Sequence, residues 1–421
     1  MNTTMPDPSF ALNGIEYRWP RKPTVVVCID GCDPSYLQSA KHDSIPNIKR
    51  LMREGCSTIA DSVVPTLTNP NNVSIVTGSP PRVHGINGNY FLDPVTEREV
   101  MMDDPSFVRS ETILAQYSKH GARVAVITAK DKLLGLLGAG IRIGSHGICF
   151  SAERATECTF ERNGIDDVLT LVGRPRPDVY SAELSIFVLK AAHQLLRHWH
   201  PDIMFLSLSD YVQHSYPPGT PQSDDFLSQI DAAIGQILER GVALGLTADH
   251  GMSDKALADG SPNIVYLQDE LDCAFGAGST KVILPITDPY VVHHGSLGGF
   301  VRVYCSTQAP ADEVDQLTQK LPGIAVTYDK SRACRLFELP EDREADLVAI
   351  ADRSTVIGTA KNRHDLSQLQ GRRLRSHGGL SEQKVPFIVS LPLDPAFVTC
   401  HTQRALHNYE IFDFLINGPT S

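Results

Sequence analysis

Apolar residues along this 421-residue chain gather in short, nearly unbroken runs that stop abruptly at polar residues. Thr24-Val-Val-Val-Cys-Ile29 stops at Asp30-Gly31, and Arg123-Val-Ala-Val-Ile127 stops at Thr128-Ala-Lys130-Asp-Lys132. Asp202-Ile-Met-Phe-Leu-Ser-Leu208 stops at Ser209-Asp210, and Val242-Ala-Leu-Gly-Leu246 stops at Thr247-Ala-Asp249-His250. A fifth run, Val385-Pro-Phe-Ile-Val389, comes late. Runs that are apolar at nearly every position suit strands buried on both faces of a parallel sheet, because a half-exposed strand would alternate. Between the runs the period becomes helical. Ala182 to Trp199 places Leu184, Phe187, Val188, Ala191, Ala192, Leu195 and Leu196 on one face, and Asp224 to Glu239 repeats the rhythm with Phe226, Leu227, Ile230, Ile234 and Leu238. Pro46 to Arg53 opens on a proline suited to a first turn and is followed by Gly55. Strand and helix alternate, so the predicted class is α/β, with a mostly parallel central sheet flanked by helices.

Residues of about 257 to 370 break the rhythm. Val282-Ile-Leu284, Phe300-Val-Arg-Val-Tyr304 and Ile324-Ala-Val-Thr-Tyr328 are short strands, and Pro310 to Leu321 reads as a helix with proline at its start. The expected organisation is a core of residues 1–256 and 371–421, interrupted by a small inserted α+β cap at 257–370.

Composition narrows the classes. A hydrophobic share of 42% supports a substantial core and excludes wholesale disorder. A net charge of −11 argues against wrapping nucleic acid, whose partners carry a basic surplus, and makes an anionic substrate look unwelcome. The first twenty residues have no apolar stretch after a basic start, so no signal peptide is expected. Nothing approaches the roughly 18–20 apolar residues that span a bilayer. The nine cysteines are scattered without a Cys-x-x-Cys pair, which fits the reduced thiols of a cytoplasmic protein.

The chemistry sits where the runs end. In open α/β sheets ligands bind outside the carboxyl ends of the strands. Three of the runs end in Asp30, Asp210 and Asp249-His250, and Asp210 is followed four residues later by His214. That spacing brings two side chains together across one helical turn. Carboxylates and imidazoles are ligands for zinc, and also for manganese or iron. Each piece has a bland reading as well, since a strand-terminal Asp is often only a helix N-cap. Three together at one sheet edge are hard to explain separately. Thr68, before Asn69-Pro70, stands where a helix can begin over Asn71 to Val76. Its hydroxyl reads equally as a cap or as a nucleophile beside backbone N–H groups that attract phosphate.

With Thr68-Asn-Pro-Asn-Asn72, Asn87-Gly-Asn89-Tyr-Phe91, Lys130-Asp-Lys132 and His377 in Arg375-Ser-His377-Gly-Gly added, the chain resembles the alkaline phosphatase superfamily, and within it the phosphonoacetate hydrolase family. The resemblance covers essentially the whole chain. It implies that Asp30, Thr68, Asp249 and His250 hold one zinc ion and Asp210, His214 and His377 the other, with manganese or iron as alternatives. It implies that Thr68 attacks phosphorus, that acetate leaves, and that the phosphothreonine is then hydrolysed at the second metal. A carbanion leaves only if an adjacent carboxylate delocalises it as an ene-diolate, so alkyl phosphonates without that carboxylate should be poor substrates. Three aspartates and a Thr68 alkoxide would cancel the charge of two zinc ions, so Lys130 and Lys132 gain a role beside an anionic phosphonate, and Asn89 would donate to it. The resemblance also implies a homodimer.

Two other readings are carried. One is a nucleotide pyrophosphatase/phosphodiesterase-type dizinc hydrolase. The other is a non-catalytic, metal-stabilised phosphonate-binding protein, against which Thr68 speaks because binding alone needs no nucleophile. Remaining candidates are weaker. His198-Trp-His200 lies at a helix end; His293-His294 falls in the cap and could overhang the site; His84 and His146 read as turn residues; Cys28 reads as buried and inert. Gly138-Ala-Gly140 lacks the rest of a dinucleotide fingerprint.

Overall fold

Seven strands share one sheet in the computed structural model of the chain, which describes residues 9–288, 295–369, 371–401 and 403–420. In chain order the strands are β1 (Thr24–Cys28), β2 (Cys56–Asp61), β3 (Val124–Thr128), β4 (Gly147–Ser151), β5 (Ile203–Ser207), β6 (Ala243–Thr247) and, late in the chain, β11 (Lys384–Val389). Their spatial order is β2-β11-β6-β1-β5-β3-β4. The pairings β6–β1, β1–β5, β5–β3 and β3–β4 are parallel, and those of β11 with β6 and β2 are antiparallel. The sheet is therefore mixed, with a parallel majority, and β1, β3, β5 and β6 are buried at every residue. Their unbroken apolar runs follow from that two-sided burial.

Helices cover the sheet. Those used below are α1 (Thr68–Thr77), α2 (Glu183–His198), α3 (Tyr211–Ser215), α4 (Pro221–Leu238) and α7 (Ile411–Ile416). α2 packs on α4, β3 and β5, and α7 packs on β1, β6 and β11. All seven of the apolar residues expected on one face of α2 are buried.

Between β6 and β11 lies a second sheet, β7 (Thr280–Ile283), β8 (Phe300–Cys305), β9 (Ile324–Asp329) and β10 (Leu347–Ala351), antiparallel in the order β7-β8-β10-β9. Helices α5 (Ala311–Thr318) and α6 (Lys330–Phe337) pack on β9 and β10. Its apolar core, with Val282, Val301, Val303, Leu347 and Ala349, is distinct from the main one and takes in Leu67 from the large sheet's loops.

Three strands of these two sheets were not anticipated from sequence. β2 is an edge strand whose Ser57, Thr58 and Ile59 are exposed, so it carries no continuous apolar run. β4 opens on Gly147 and is only five residues long. β10 is wholly apolar, but without a turn signal its run cannot be told from a helical segment.

The smaller sheet is fastened to the loops beside the large sheet's carboxyl edge. Arg302 and Glu344, both 0% exposed, form a two-pronged ion pair, and Arg302 Nη2 also donates to Asn87 O at 3.0 Å. Pro285 O accepts from the N–H groups of Asn89 and Tyr90 at 2.8 and 3.2 Å. This approach requires glycine at 88, because a Cβ there would stand 2.9 Å from Pro285 Cβ. Removing one partner of such a pair strands a buried charge. Glu344→Ala is therefore expected to cost about 3–5 kcal/mol, measured by chemical denaturation, whereas removing the exposed partner in the Arg53–Glu54 pair should cost under about 1 kcal/mol.

Candidate metal centre

Because β6, β1 and β5 are adjacent and parallel, the residues that follow them emerge at one edge. Asp30 comes two residues after β1, Asp210 three after β5, and Asp249-His250 two after β6. Gly31 takes φ +69°, and a Cβ there would lie 3.2–3.4 Å from Gln213, Met252 and Asp210 side chains, so the turn that presents Asp30 needs glycine. His377 arrives from a distant stretch held in place when Arg375–Ser376 pairs with Ser253–Asp254. Two groups result, Asp30 with Asp249 and His250, and Asp210 with His214 and His377, each with its ligand atoms within 4.8 Å of one another and all six residues buried.

The imidazoles are pre-oriented. His214 Nδ1 lies 2.8 Å from Arg375 O, His250 Nδ1 2.9 Å from Gly251 O, and His377 Nδ1 2.8 Å from Thr66 O. A carbonyl only accepts, so each Nδ1 carries a proton and each ring turns its Nε2 inward. There Nε2 of His214 lies 2.9 Å from Asp210 Oδ2, and Nε2 of His250 lies 3.3 Å from Asp30 Oδ1. A cation bound between such an Nε2 and a carboxylate oxygen would be held by both. Asp30 Oδ1 is also buried without a hydrogen-bond donor. The donor set, its burial and this orphaned oxygen fit a dinuclear metal site.

Electrostatics agree. Burial, reinforced by the charges of Asp210 and Asp249, pushes the Asp30 carboxyl well above the usual range. Asp249 is pushed up to about 7, by burial first and then by Asp210. Burial, with His250 and His214 nearby, holds His377 well below the ordinary imidazole value. Hydrogen bonds fix Asp249: Oδ1 accepts from the N–H groups of Gly31 and His250 at 3.2 and 3.1 Å, and Oδ2 accepts from Asn72 Nδ2 at 3.0 Å.

Thr68 is the first residue of α1, and the N-cap is Leu67, so the threonine hydroxyl is not a cap. Its Oγ1 lies 3.4 Å from His250 Nε2, beside the first group. The helix start offers fewer donors to an anion than the sequence suggests. Asn69 N–H is taken by Asn89 Oδ1 at 3.0 Å, Pro70 has no N–H, and Asn71 N–H returns to Leu67 O. With Oδ1 so committed, Asn89 is left with its Nδ2 hydrogens to offer.

One cleft is lined by Asp30, Thr68, Asn89, Lys130, Lys132, Asp210, Asp288 and His377, with Leu133, Leu208 and Ile286. Both lysines are brought there, and neither stands alone. Lys130 Nζ donates to Asp210 Oδ1 at 3.1 Å, and Lys132 Nζ donates to Asp288. Burial opposes the charged form of Lys130, but Asp210 and Asp30 outweigh it and hold the ammonium above its ordinary range. The cleft's own side chains thus carry more carboxylates than ammonium groups, and attraction of an anion depends on bound cations.

The lesser candidates stay apart: neither metal-ligand group among the described residues includes His84, His146, His198 or His200. His84 is buried against Ser74, with Nδ1 accepting from Ile86 N–H, and His146 is exposed before β4. His293 and His294 lie outside the described residues. Gly138 ends a short helical turn, Leu134–Leu137. Burial, with Asp249 and Asp30 nearby, pushes the Cys28 thiol well above its usual value, as expected of an inert thiol. Asp288, and the carbonyls of Thr66, Gly251 and Arg375 that orient the histidines, went unseen: a carbonyl has no sequence signal, and Asp288 is distant in the chain from the motifs.

The family profile for type I phosphodiesterase / nucleotide pyrophosphatase matches residues 24–379. A phosphonoacetate hydrolase from Sinorhizobium meliloti, solved in complex with phosphonoformate and with phosphonoacetate, is 46% identical, with a TM-score of 0.92 over 98% of this chain and 100% of that one. A murine ectonucleotide pyrophosphatase / phosphodiesterase 5 shares the fold, at 20% identity and TM-score 0.64 over 95% of this chain and 96% of that one. An uncharacterized pyrophosphatase/phosphodiesterase of Schizosaccharomyces pombe is 24% identical over 249 residues, 54% of this chain, which spans less than half (44%) of that relative. The chain belongs to the type I phosphodiesterase / nucleotide pyrophosphatase family of the alkaline phosphatase superfamily. It is a hydrolytic enzyme. Among the described residues no helix is long and apolar enough to cross a membrane.

Metal removal should carry a pH signature. A carboxyl whose folded pKa is raised costs the metal-free fold nothing below its unfolded value near 3.8, and the cost grows as pH climbs toward about 7. The rise in Tm on adding zinc to chelator-treated protein should therefore be small near pH 5 and larger by several degrees at pH 8. Thermal unfolding across that range tests it, and a zinc-induced shift that does not change with pH would contradict the raised carboxyls.

Proposed function

We propose that the chain is a dizinc hydrolase that splits the carbon–phosphorus bond of phosphonoacetate into acetate and phosphate. The likeness to the Sinorhizobium meliloti phosphonoacetate hydrolase along nearly the whole chain carries this reading, and the gathering of Thr68, Asn89, Lys130 and Lys132 in one cleft supports it. Asp30, Thr68, Asp249 and His250 would hold one zinc ion and Asp210, His214 and His377 the other. When bound, the two ions supply Lewis acidity toward oxygen and compensate negative charge, and manganese or iron would suit the same donors.

The residues' own parts follow from their chemistry. Thr68, fixed at the first turn of α1, gives up its hydroxyl proton to solvent and offers its oxygen to phosphorus. The new Thr68 O–P bond forms as the C–P bond breaks, and the electron pair leaves with carbon, delocalised over the adjacent carboxylate. A proton from solvent turns that ene-diolate into acetate. Water then breaks the phosphothreonine ester and restores the Thr68 hydroxyl. Lys130, kept as ammonium by its carboxylate neighbours, and Lys132 face negative charge rather than supply a proton. Asn89 donates through Nδ2 to the phosphonate. Residues 257–370 would form a cap over this cleft, and a cytoplasmic homodimer belongs to the same proposal. The family as a whole favours a second reading, hydrolysis of nucleotide phosphodiesters or pyrophosphates.

Zinc-loaded protein should release phosphate from phosphonoacetate, lose that activity to chelator and regain it with zinc, while a nitrophenyl nucleotide ester is turned over more slowly. The reverse preference would favour the second reading. Methylphosphonate should not be cleaved, and turnover at the phosphonoacetate rate would refute the ene-diolate. Thr68→Ala should lower phosphate release by about three orders of magnitude or more with folding and zinc content largely kept; full activity in that variant removes the phosphothreonine.

A further inference from the structure

The cleft holds one acidic residue to which the proposed reaction gives no part. Asp288 lies five residues after β7, its side chain is 2% exposed, and it pairs with the Lys132 ammonium, whose side chain is 9% exposed. The two come from separate parts of the chain, Lys132 from the loop after β3 and Asp288 from the small sheet's side. Asp288, Lys130 and Lys132 line both the cleft with Thr68 and an adjoining cavity of about 230 Å3 that includes Val179 and Tyr180, so the pair stands between the two spaces.

A buried carboxylate beside an anion site repels the anion, and desolvating an ion pair commonly offsets its Coulombic gain. Neither anion attraction nor stability accounts for Asp288. Its effect is geometric. A free lysine side chain has rotamer entropy to lose on being fixed, and a carboxylate that pins it beforehand removes that cost from the binding step. The loop bearing Asp288 is itself anchored: Pro285 O accepts from Asn89 and Tyr90 N–H, and Thr287 N–H donates to Leu284 O at 3.0 Å. The stretch Leu284–Asp288 therefore sets both Asn89 and Lys132.

We propose that Asp288 is a positioning residue that holds the Lys132 ammonium in the cleft for the anionic substrate, a role that rests on the phosphonoacetate reading. The test is a double-mutant cycle on the zinc-loaded protein with wild type, Asp288→Asn, Lys132→Met and the double variant. Asp288→Asn should lower kcat/KM for phosphonoacetate by about tenfold or more, mostly through KM, and should add nothing to the loss in the Lys132→Met background. Asp288→Glu, which keeps the charge, should recover part of the loss. Additive losses, or wild-type kcat/KM in Asp288→Asn, overturn the proposal. Should Asp288→Asn fail to fold, Asp288→Ser takes its place in the same cycle. If wild type releases no phosphate from phosphonoacetate, it is the activity that fails. The cycle is then read from the dissociation constant of inorganic phosphate in the same four proteins, where non-additivity supports the Asp288–Lys132 coupling and additivity overturns it.

Discussion

Three buried aspartates and three buried histidines face one another across the carboxyl edge of the sheet, where burial weakens solvent screening. Burial favours the uncharged carboxyl, yet carboxylate oxygens and imidazole Nε2 atoms turned toward one another are the donors between which a cation binds. The protein settles the conflict by fixing geometry in advance. Backbone carbonyls hold every imidazole in one tautomer, and Asn72 with two backbone N–H groups holds Asp249. The rigidity of the surroundings, including a helix α1 buried at all ten residues, is what keeps such a cluster from collapsing onto itself.

The second sheet takes part in that rigidity. Its Arg302–Glu344 pair and Pro285 carbonyl grip the loop that carries Asn89, and Gly299 N–H donates to His377 O at 2.8 Å. A segment that sequence presents as an insertion is thus a wall of the cleft, and its Asp288 meets Lys132 there. The same packing changes what net charge can say about ligands. Lys130 and Lys132 are each answered by a carboxylate, so the cleft is not basic by its side chains alone. Its attraction for anions depends on bound cations.

Much of this was legible in the chain. Strands buried on both faces advertise themselves as unbroken apolar runs, so the parallel centre of the sheet could be read directly, and the polar residue ending each run marked the ligand edge. Asp210 and His214 could be paired from spacing alone because one helical turn brings them together. Edge strand β2 was not legible, since exposed Ser57, Thr58 and Ile59 give no period to read. Whether the Thr68 hydroxyl caps a helix also stayed open until its place at the first helical residue, after Leu67, excluded the cap.

By itself the sequence determined the class of fold, the strand ends and the residue types that suit a metal pair, because these depend on local period and short spacing. Tertiary structure decided the rest. It turned each Nε2 inward by placing a carbonyl behind it, and set Asp288 against Lys132. Apart from the adjacent His250 and Gly251, those relations join residues 156 to 311 positions apart, several through backbone atoms common to every residue type, so no pattern of side chains along the chain can encode them.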